Sequence, residues 1–185
     1  MKSPFFFLIE PQGDEYQNTI EIAGQKVIIN STVEDHKHVN RFAKVIQLPI
    51  HYNGPIKAGD IIIVHHNVFR IYYDMKGRPR KSPNYFKDNI YMIDPFQFYM
   101  YHDGESWKSV GNWCFIRPTD LEHKYLYEEG YEENTGEVVY TNPVLKKRGV
   151  DNGDRVKFSK NSEYEFFVDS EKLYRMSTND IIATI

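Results

Sequence analysis

Four short blocks of this chain occur twice in the same order, and this repetition limits the folds that the chain can adopt. The pairs are IKAGDIIIVH (56–65) and VDNGDRVKFS (150–159), AKVIQ (43–47) and GEVVY (136–140), NIYMI (89–93) and KLYRM (172–176), and FLIEP (7–11) and CFIRP (114–118). Their separations are 94, 93, 83 and 107 residues. Four colinear matches indicate a tandem duplication, with insertions that account for the different separations.

The chain between these blocks also has the pattern of an all-β protein. Apolar, β-branched and aromatic runs of a few residues alternate with Gly, Pro, Asn and Asp, as in a sandwich or barrel. Aromatic residues form 15% of the chain, which favours strands, and the one weak helix candidate is residues 121–129. The sequence therefore predicts a first unit over 1–102, a linker over 103–112 and a second unit over 113–185.

Composition argues against several classes of protein. The formal net charge is −3, so no overall electrostatic attraction to nucleic acid is expected. The single cysteine, Cys114, rules out an internal disulfide and a cysteine-rich zinc site. No apolar run approaches the ~18 residues of a membrane helix, and Glu10 and Pro11 interrupt the apolar N-terminus before it could form a signal sequence. A soluble cytoplasmic protein is expected.

One repeated element has a clear physical purpose. Gly59-Asp60 and Gly153-Asp154 each precede a strand at matching places in the two copies. A glycine accepts a positive φ and lets the chain turn sharply, and an aspartate beside it can accept hydrogen bonds from amides of the turn. We expect these two structural corners to superimpose.

Taken in order, the blocks resemble the GroES family of co-chaperonins (chaperonin-10). The second copy carries the likeness best, through CFIRP, TGEVVYTN (135–142), GVDNGDRVKF (149–158) and EKLYRMSTNDIIATI (171–185). The first copy is similar but divergent, with an insertion at 75–88 and Pro95-Phe96-Gln97 where the family has polar residues and Asp. The resemblance implies two tandem GroES-like small β-barrels, as in the enlarged co-chaperonins of some bacteriophages.

The resemblance also implies where a partner would dock. Co-chaperonins extend a mobile loop between their second and third strands, and a hydrophobic tripeptide in that loop binds the chaperonin. IAGQKVIIN (22–30) resembles this loop and places the tripeptide at Val27, Ile28 and Ile29. The alternative is an ordinary hairpin that turns at 23–25, with its apolar side chains in the core. In the second copy, Tyr125, Leu126 and Tyr127 could dock, or residues 119–134 could be an acidic surface loop.

The implied activity is not enzymatic. A co-chaperonin of this kind forms a homo-oligomeric ring, caps a GroEL-type chaperonin and assists ATP-dependent protein folding. The chain has no P-loop, so it is expected to need no cofactor of its own, and ATP would be bound by the chaperonin. The expected location is the cytoplasm, which would be the host cytoplasm if the protein is viral.

Histidines suggest a rival interpretation, a metal centre as in the cupin barrels. The candidates are His36, His38, His51, His65 and His66. Adjacent residues of a strand point to opposite faces, so His65 and His66 cannot both reach one ion from a regular strand. These two histidines are therefore expected to end the strand that follows Gly59-Asp60, and no metal site is predicted.

A second rival is a viral structural or assembly β-sandwich protein with no chaperonin partner. It would share the strand content and the tyrosines, but it has no need for the repeated Gly-Asp frame. No spacing selects a pair of catalytic carboxylates, and no Gly-x-Ser-x-Gly motif occurs. The basic run KGRPRK (76–81) is interpreted as a solvated hairpin tip rather than a contact with nucleic acid.

Overall fold

A computed structural model describes residues 3–14, 19–22, 25–28, 39–120 and 131–185 of the chain. The chain divides into two compact units, Met1–Ser106 and Trp107–Ile185. The boundary falls inside the predicted linker 103–112, but part of that linker is ordered structure. Residues Trp107–Ser109 form a strand, and the indole Nε1 of Trp107 donates a hydrogen bond to Asp169 at 3.0 Å. The second unit therefore begins before residue 113.

Within the described residues, the first unit contains ten strands, of which six form one antiparallel sheet. In chain order they are β1 (Phe7–Pro11), β2 (Thr19–Ile22), β3 (Gln25–Ile28), β4 (Phe42–Gln47), β5 (Ile61–Val64), β6 (Tyr72–Tyr73), β7 (Pro79–Arg80), β8 (Tyr85–Lys87), β9 (Ile90–Ile93) and β10 (Phe98–His102). Within this unit the main sheet has the order β10-β5-β4-β1-β9-β8. The pairs β2-β3 and β6-β7 are separate two-stranded sheets.

The second unit begins with β11 (Trp107–Ser109) and contains six further strands. These are β12 (Trp113–Asp120), β13 (Tyr131–Tyr140), β14 (Arg155–Phe158), β15 (Tyr164–Val168), β16 (Glu171–Ser177) and β17 (Ile181–Thr184). They form an antiparallel sheet in the order β15-β16-β12-β13-β14-β17. Read in reverse, this order matches the first unit strand for strand: β17 corresponds to β10, β14 to β5, and so on to β15, which corresponds to β8.

The register of the two sheets agrees as well. Matching pairs are Ile9–Val45 and Ile116–Val138, Pro11–Ala43 and Pro118–Gly136, and Ile9–Tyr91 and Ile116–Tyr174. Both first strands have a β-bulge at the same point, between Leu8 and Ile9 and between Phe115 and Ile116. The separations are the 107, 93 and 83 residues of the repeated blocks. The internal repeat that the sequence predicted is confirmed.

Each unit buries its own hydrophobic core at matching positions. The second core includes Cys114, Ile116, Val138, Val150, Val156, Phe158 and Met176. The residues at the corresponding positions of the first unit are also buried, and they are Phe7, Ile9, Val45, Ile56, Ile62, Val64 and Ile93. Because side chains alternate between the faces of a strand, this agreement requires the same face of each sheet to be covered in both units.

The all-β prediction is confirmed, since strands dominate both units. Neither six-stranded sheet closes on itself over the part of the chain that the structure describes. One helical turn, α1 (Pro143–Lys146), was not predicted. The signal was present in the sequence, because Asn142 caps this turn through its side chain and Pro143 follows at the first helical position. The helix candidate at 121–129 lies outside the described residues.

Candidate functional site

The first Gly-Asp corner joins β4 to β5. Gly59 has a φ of +100°, which strongly favours glycine, and its amide donates to the carbonyl of Val45 at 2.8 Å. The Val45 amide returns a hydrogen bond to the Asp60 carbonyl at 2.9 Å. The Asp60 carboxylate accepts a hydrogen bond from the Lys57 amide at 2.8 Å, which closes the turn.

The second corner joins β13 to β14 and repeats the same bonds. Gly153 has a φ of +92° and donates to Val138 at 2.7 Å, while the Val138 amide donates to Asp154 at 2.9 Å. The Asp154 carboxylate accepts from the Asp151 amide at 2.7 Å. The two corners share these hydrogen bonds and one backbone conformation, so they are equivalent structural elements.

A second shared element is the turn before the last strand of each unit. In the second unit the Asp180 carboxylate accepts a hydrogen bond from the Ser177 amide at 2.8 Å. In the first unit the Gln97 side chain accepts from the Asp94 amide at 3.0 Å. Pro95-Phe96-Gln97 was interpreted as a departure from the family pattern, yet the Gln97 side-chain oxygen takes the place of the aspartate oxygen. The residue types alone hide this equivalence, because Gln and Asp differ in sequence although an amide oxygen and a carboxylate oxygen can accept the same hydrogen bond.

The predicted docking tripeptide lies partly within the described residues. Val27 and Ile28 belong to β3, and Ile29 lies outside. β3 pairs only with β2, with Ile20 opposite Val27 and Thr19 opposite Ile28. β2 and β3 are paired as the hairpin interpretation expects, while the turn between them and the core position of their side chains lie outside what the structure describes, and over the described ranges the pair is not part of the main sheet. The prediction that its aliphatic side chains dock a partner stays a prediction.

Both units send out a long connection from the same place. In the first unit β1 ends at Pro11, which pairs with Ala43, and residues 12–41 follow before β4. In the second unit the equivalent pair is Pro118 with Gly136, and the strands continue to a pair between Asp120 and Tyr131. Tyr125, Leu126 and Tyr127 lie in the second connection, outside the described residues.

A cluster of three charged side chains lies on the sheet near the start of the second connection. The Arg117 guanidinium donates to the carboxylates of Glu171 and Glu137, the latter at 3.2 Å. The hydrogen bond to Glu171 is the main cause that raises the pKa of Arg117. All three side chains are about two-fifths exposed, so each ion pair contributes at most about 1 kcal/mol. The two ion pairs link β12 to its neighbours β13 and β16 near the place where the second connection begins.

The two adjacent histidines end a strand, as predicted. β5 stops at Val64, and the His65 amide donates to the Gln97 carbonyl at 2.8 Å. Ser159, at the matching position, donates to the Asp180 carbonyl at the same distance. The imidazole Nδ1 of His65 accepts from the Asn67 amide at 3.1 Å, and its ring packs 4.2 Å from that of His66. This nitrogen therefore has a turn-forming role.

Among the described residues, no group of three or more His, Cys, Asp or Glu side chains could hold a metal ion. His36 and His38 lie outside that part of the chain. Cys114 is completely buried, and burial raises the pKa of its thiol to about 12. A thiol with such a pKa stays protonated near neutral pH and is a poor nucleophile or metal ligand.

Comparison with known proteins adds no family. No protein-family model matches the chain, and no curated protein matches its sequence. None of the helices in the described ranges is long and apolar enough to cross a membrane.

Proposed function

We propose that the protein is a co-chaperonin that caps a GroEL-type chaperonin ring and assists ATP-dependent protein folding. One observation carries the proposal. In both copies of the six-stranded unit a connection joins the first strand to the next strand of the sheet at the matching pairs Pro11–Ala43 and Pro118–Gly136, and the first connection contains the separate β2-β3 pair. A capping protein needs such a projecting element on a rigid base, because loops on a scaffold are where binding residues concentrate.

Val27, Ile28 and Ile29 are the proposed contact. Burying three aliphatic side chains in an apolar groove contributes roughly 1.5–3 kcal/mol each. Ordering the segment costs about 1–2 kcal/mol per residue, so one loop alone binds weakly. The chain is proposed to act as a homo-oligomeric ring, in which several loops engage together and raise the overall affinity. Weak individual contacts then allow the chaperonin to release its cap when its bound nucleotide changes.

The second unit has a different proposed part. Its connection is acidic and has no aliphatic triplet, with Tyr125, Leu126 and Tyr127 as the nearest equivalent. Its sheet, held by the Gly153-Asp154 corner and the Asp180 cap, serves mainly as a rigid frame. ATP belongs to the chaperonin in this proposal, and the chain catalyses no reaction.

The test is the triple variant Val27→Ser, Ile28→Ser and Ile29→Ser. We expect binding to a purified GroEL-type ring in the presence of ATP or ADP to disappear, while the melting temperature stays close to that of the wild type. The matched control is Ile46→Ser with Ile50→Ser, two exposed isoleucines of the same unit. This control should retain binding.

Three results would change the proposal in different ways. If the triple variant loses its fold, the triplet is a core strand, because buried hydroxyls and cavities cost several kcal/mol (roughly 2–5 each). Retained binding at normal stability would move the contact elsewhere, first to Tyr125, Leu126 and Tyr127. A wild-type chain that binds no ring under any nucleotide condition would overturn the co-chaperonin proposal and favour a structural β-sandwich protein.

A further inference from the structure

The two units also differ in the connection after the strand that follows the Gly-Asp corner. In the second unit only residues 159–163 separate β14 from β15, whereas residues 65–84 separate β5 from β8. The longer connection contains the β6-β7 hairpin, with Tyr72 opposite Arg80 and Tyr73 opposite Pro79. The repeated frame does not need this segment, since the second unit forms the same sheet without it.

The inserted residues and the strand β8 that follows them form one continuous stretch, residues 70–88 (the inserted segment), whose charge is opposite to that of the chain. Residues 70–88 contain six Lys or Arg and two Asp, which gives +4, while the whole chain carries −3. One of these aspartates is used by the turn of the hairpin. The Asp74 carboxylate accepts hydrogen bonds from the Lys76 and Arg78 amides at 2.9 Å and pairs with Arg80 at 3.3 Å. These bonds lower the pKa of Asp74, chiefly through the Arg78 amide, so the turn stays formed at neutral pH.

Exposed aromatic rings lie among these cations. Tyr73, Tyr85 and Phe86 are 48%, 37% and 40% exposed. The Lys81 ammonium lies 5.8 Å from the centre of the Tyr85 ring, and the Lys87 ammonium is equally close to Phe86. Both distances are within the range of a cation–π contact. The segment therefore presents rings and positive charges side by side.

The segment is also anchored to its unit. Ser82 is buried, and its hydroxyl donates to the Val68 carbonyl at 2.5 Å. Asn84 follows, and its side-chain amide donates to the Met92 carbonyl on β9 at 2.7 Å. The chain is thus pinned between β7 and β8, so the hairpin and β8 are held by the sheet instead of trailing from it.

We propose that the inserted segment, residues 70–88, binds single-stranded nucleic acid. Proteins that bind single strands without sequence preference combine positive charges that follow the phosphates with aromatic rings on which bases stack. The inserted segment supplies both groups within one short length of chain. The net charge of the whole chain predicted no nucleic-acid partner, because acidic residues elsewhere along the chain outweigh the positive charge of this segment in the total. The inference goes beyond the proposed capping function and does not depend on it.

Exposed rings distinguish this partner from an acidic polypeptide. Carboxylates need only the positive charges, whereas bases gain from stacking on every ring they reach. The second unit offers a natural comparison, because Lys146, Lys147 and Arg148 are three exposed consecutive cations with no aromatic residue between them. They provide a control with the same residue types and the same change of charge.

The test measures fluorescence anisotropy of a labelled oligothymidylate of about 16 nucleotides with the full chain at about 50 mM and about 200 mM salt. We expect Lys76→Ser, Arg78→Ser and Lys81→Ser together to weaken binding about tenfold or more at low salt. The slope of log affinity against log salt should become shallower by roughly 0.7 for each phosphate that the variant no longer neutralises. The control Lys146→Ser, Lys147→Ser and Arg148→Ser should bind like the wild type, and circular dichroism should show that both variants are folded.

A second variant tests the rings. Tyr73→Ser with Phe86→Ser should also weaken binding about tenfold, since stacking of each base contributes measurably, but should leave the salt slope unchanged. The proposal is overturned if the wild type does not bind the oligonucleotide at low salt, or if the control variant weakens binding as much as the triple variant does. It is also overturned if polyglutamate of equal charge displaces the oligonucleotide as well as unlabelled oligothymidylate does, because that result indicates an acidic protein partner.

Discussion

The two halves of the chain form the same sheet from different side chains. Phe7 in the first unit and Cys114 in the second occupy matching buried positions, opposite Ile93 and Met176. The cross-strand pair Glu10–Lys44 corresponds to Arg117–Glu137, with the charges exchanged. The frame thus depends on which positions are apolar and which pairs have opposite charge, and much less on the identity of each residue.

What the units keep unchanged is equally informative. The Gly-Asp corner and the cap before the last strand retain their hydrogen bonds in both copies. The connections vary instead, in length and in charge. A turn needs a particular backbone conformation and a particular acceptor, whereas an exposed connection is free to change and to acquire a function.

The largest expected effect comes from the matching core positions. Phe7→Ala should lower the free energy of unfolding by about 3–5 kcal/mol, because the buried ring packs 4.9 Å from Tyr52 and 5.1 Å from Phe98. Cys114→Ala removes one buried heavy atom and should cost about 1 kcal/mol. Urea unfolding followed by circular dichroism measures both, and Trp fluorescence reports the second unit, which holds Trp107 and Trp113. Equal losses of unfolding free energy in the two variants would contradict the difference in packing between the Phe7 and Cys114 positions.

The pair Gly136 and Ala43 gives the next effect. A Cβ at Gly136 would lie 2.5 Å from the Arg117 carbonyl oxygen and would also overlap a methyl carbon of Ile116. We expect Gly136→Ala to destabilise the second unit by about 1–3 kcal/mol, as overpacking does. The converse change, Ala43→Gly, should cost only about 0.5–1 kcal/mol through lost backbone restriction in the unfolded chain. Thermal unfolding that ranks the two variants in the opposite order would contradict the close strand approach in the second unit.

The corners should respond equally. Gly59→Ala and Gly153→Ala each place a Cβ on a backbone with a φ of +100° or +92°, with open space around it, so strain alone should cost about 1–2 kcal/mol. Comparison of the two melting temperatures tests whether the corners are equivalent. If only one variant is destabilised, the two corners contribute differently to stability although their hydrogen bonds are the same.

The smallest expected effect is a loss of stability at high pH that arises in the second unit alone. The folded pKa of Cys114 is about 12, above the ordinary value of 9.0, so the thiol ionises in the unfolded chain first. The buried, protonated thiol therefore contributes fully to stability below pH 9. This contribution to the free energy of unfolding is lost as the pH rises towards 12, by about 1.4 kcal/mol at most for each pH unit. At about pH 10 the wild type should therefore lose about 1 kcal/mol more stability than Cys114→Ala does. Denaturation at about pH 8 and about pH 10 checks this, and equal losses in the two proteins would show that the thiol is not protected by burial.

The internal repeat was predictable because it depends on local patterns that recur along the chain. The blocks FLIEP and CFIRP indicated matching first strands that end in proline, and the Gly-Asp pairs indicated the turns, since a positive φ and a turn acceptor can be recognised from residue type. The end of β5 before His65 and His66 followed from the alternation of side chains along a strand. The helical turn at Pro143 could have been found from its Asn-Pro start.

Local patterns of residues were enough to predict the all-β class, the two copies and the positions of their corners. Tertiary structure alone decided that Gln97 serves as Asp180 does, that Trp107 belongs to the second unit through Asp169, and that β2-β3 pairs outside the main sheet. These features depend on contacts between residues far apart in the chain or on one oxygen replacing another, which no local pattern records. The contacts between basic side chains and exposed rings in the inserted segment also depend on tertiary structure. Such side chains become neighbours only when the strands that carry them are paired and anchored.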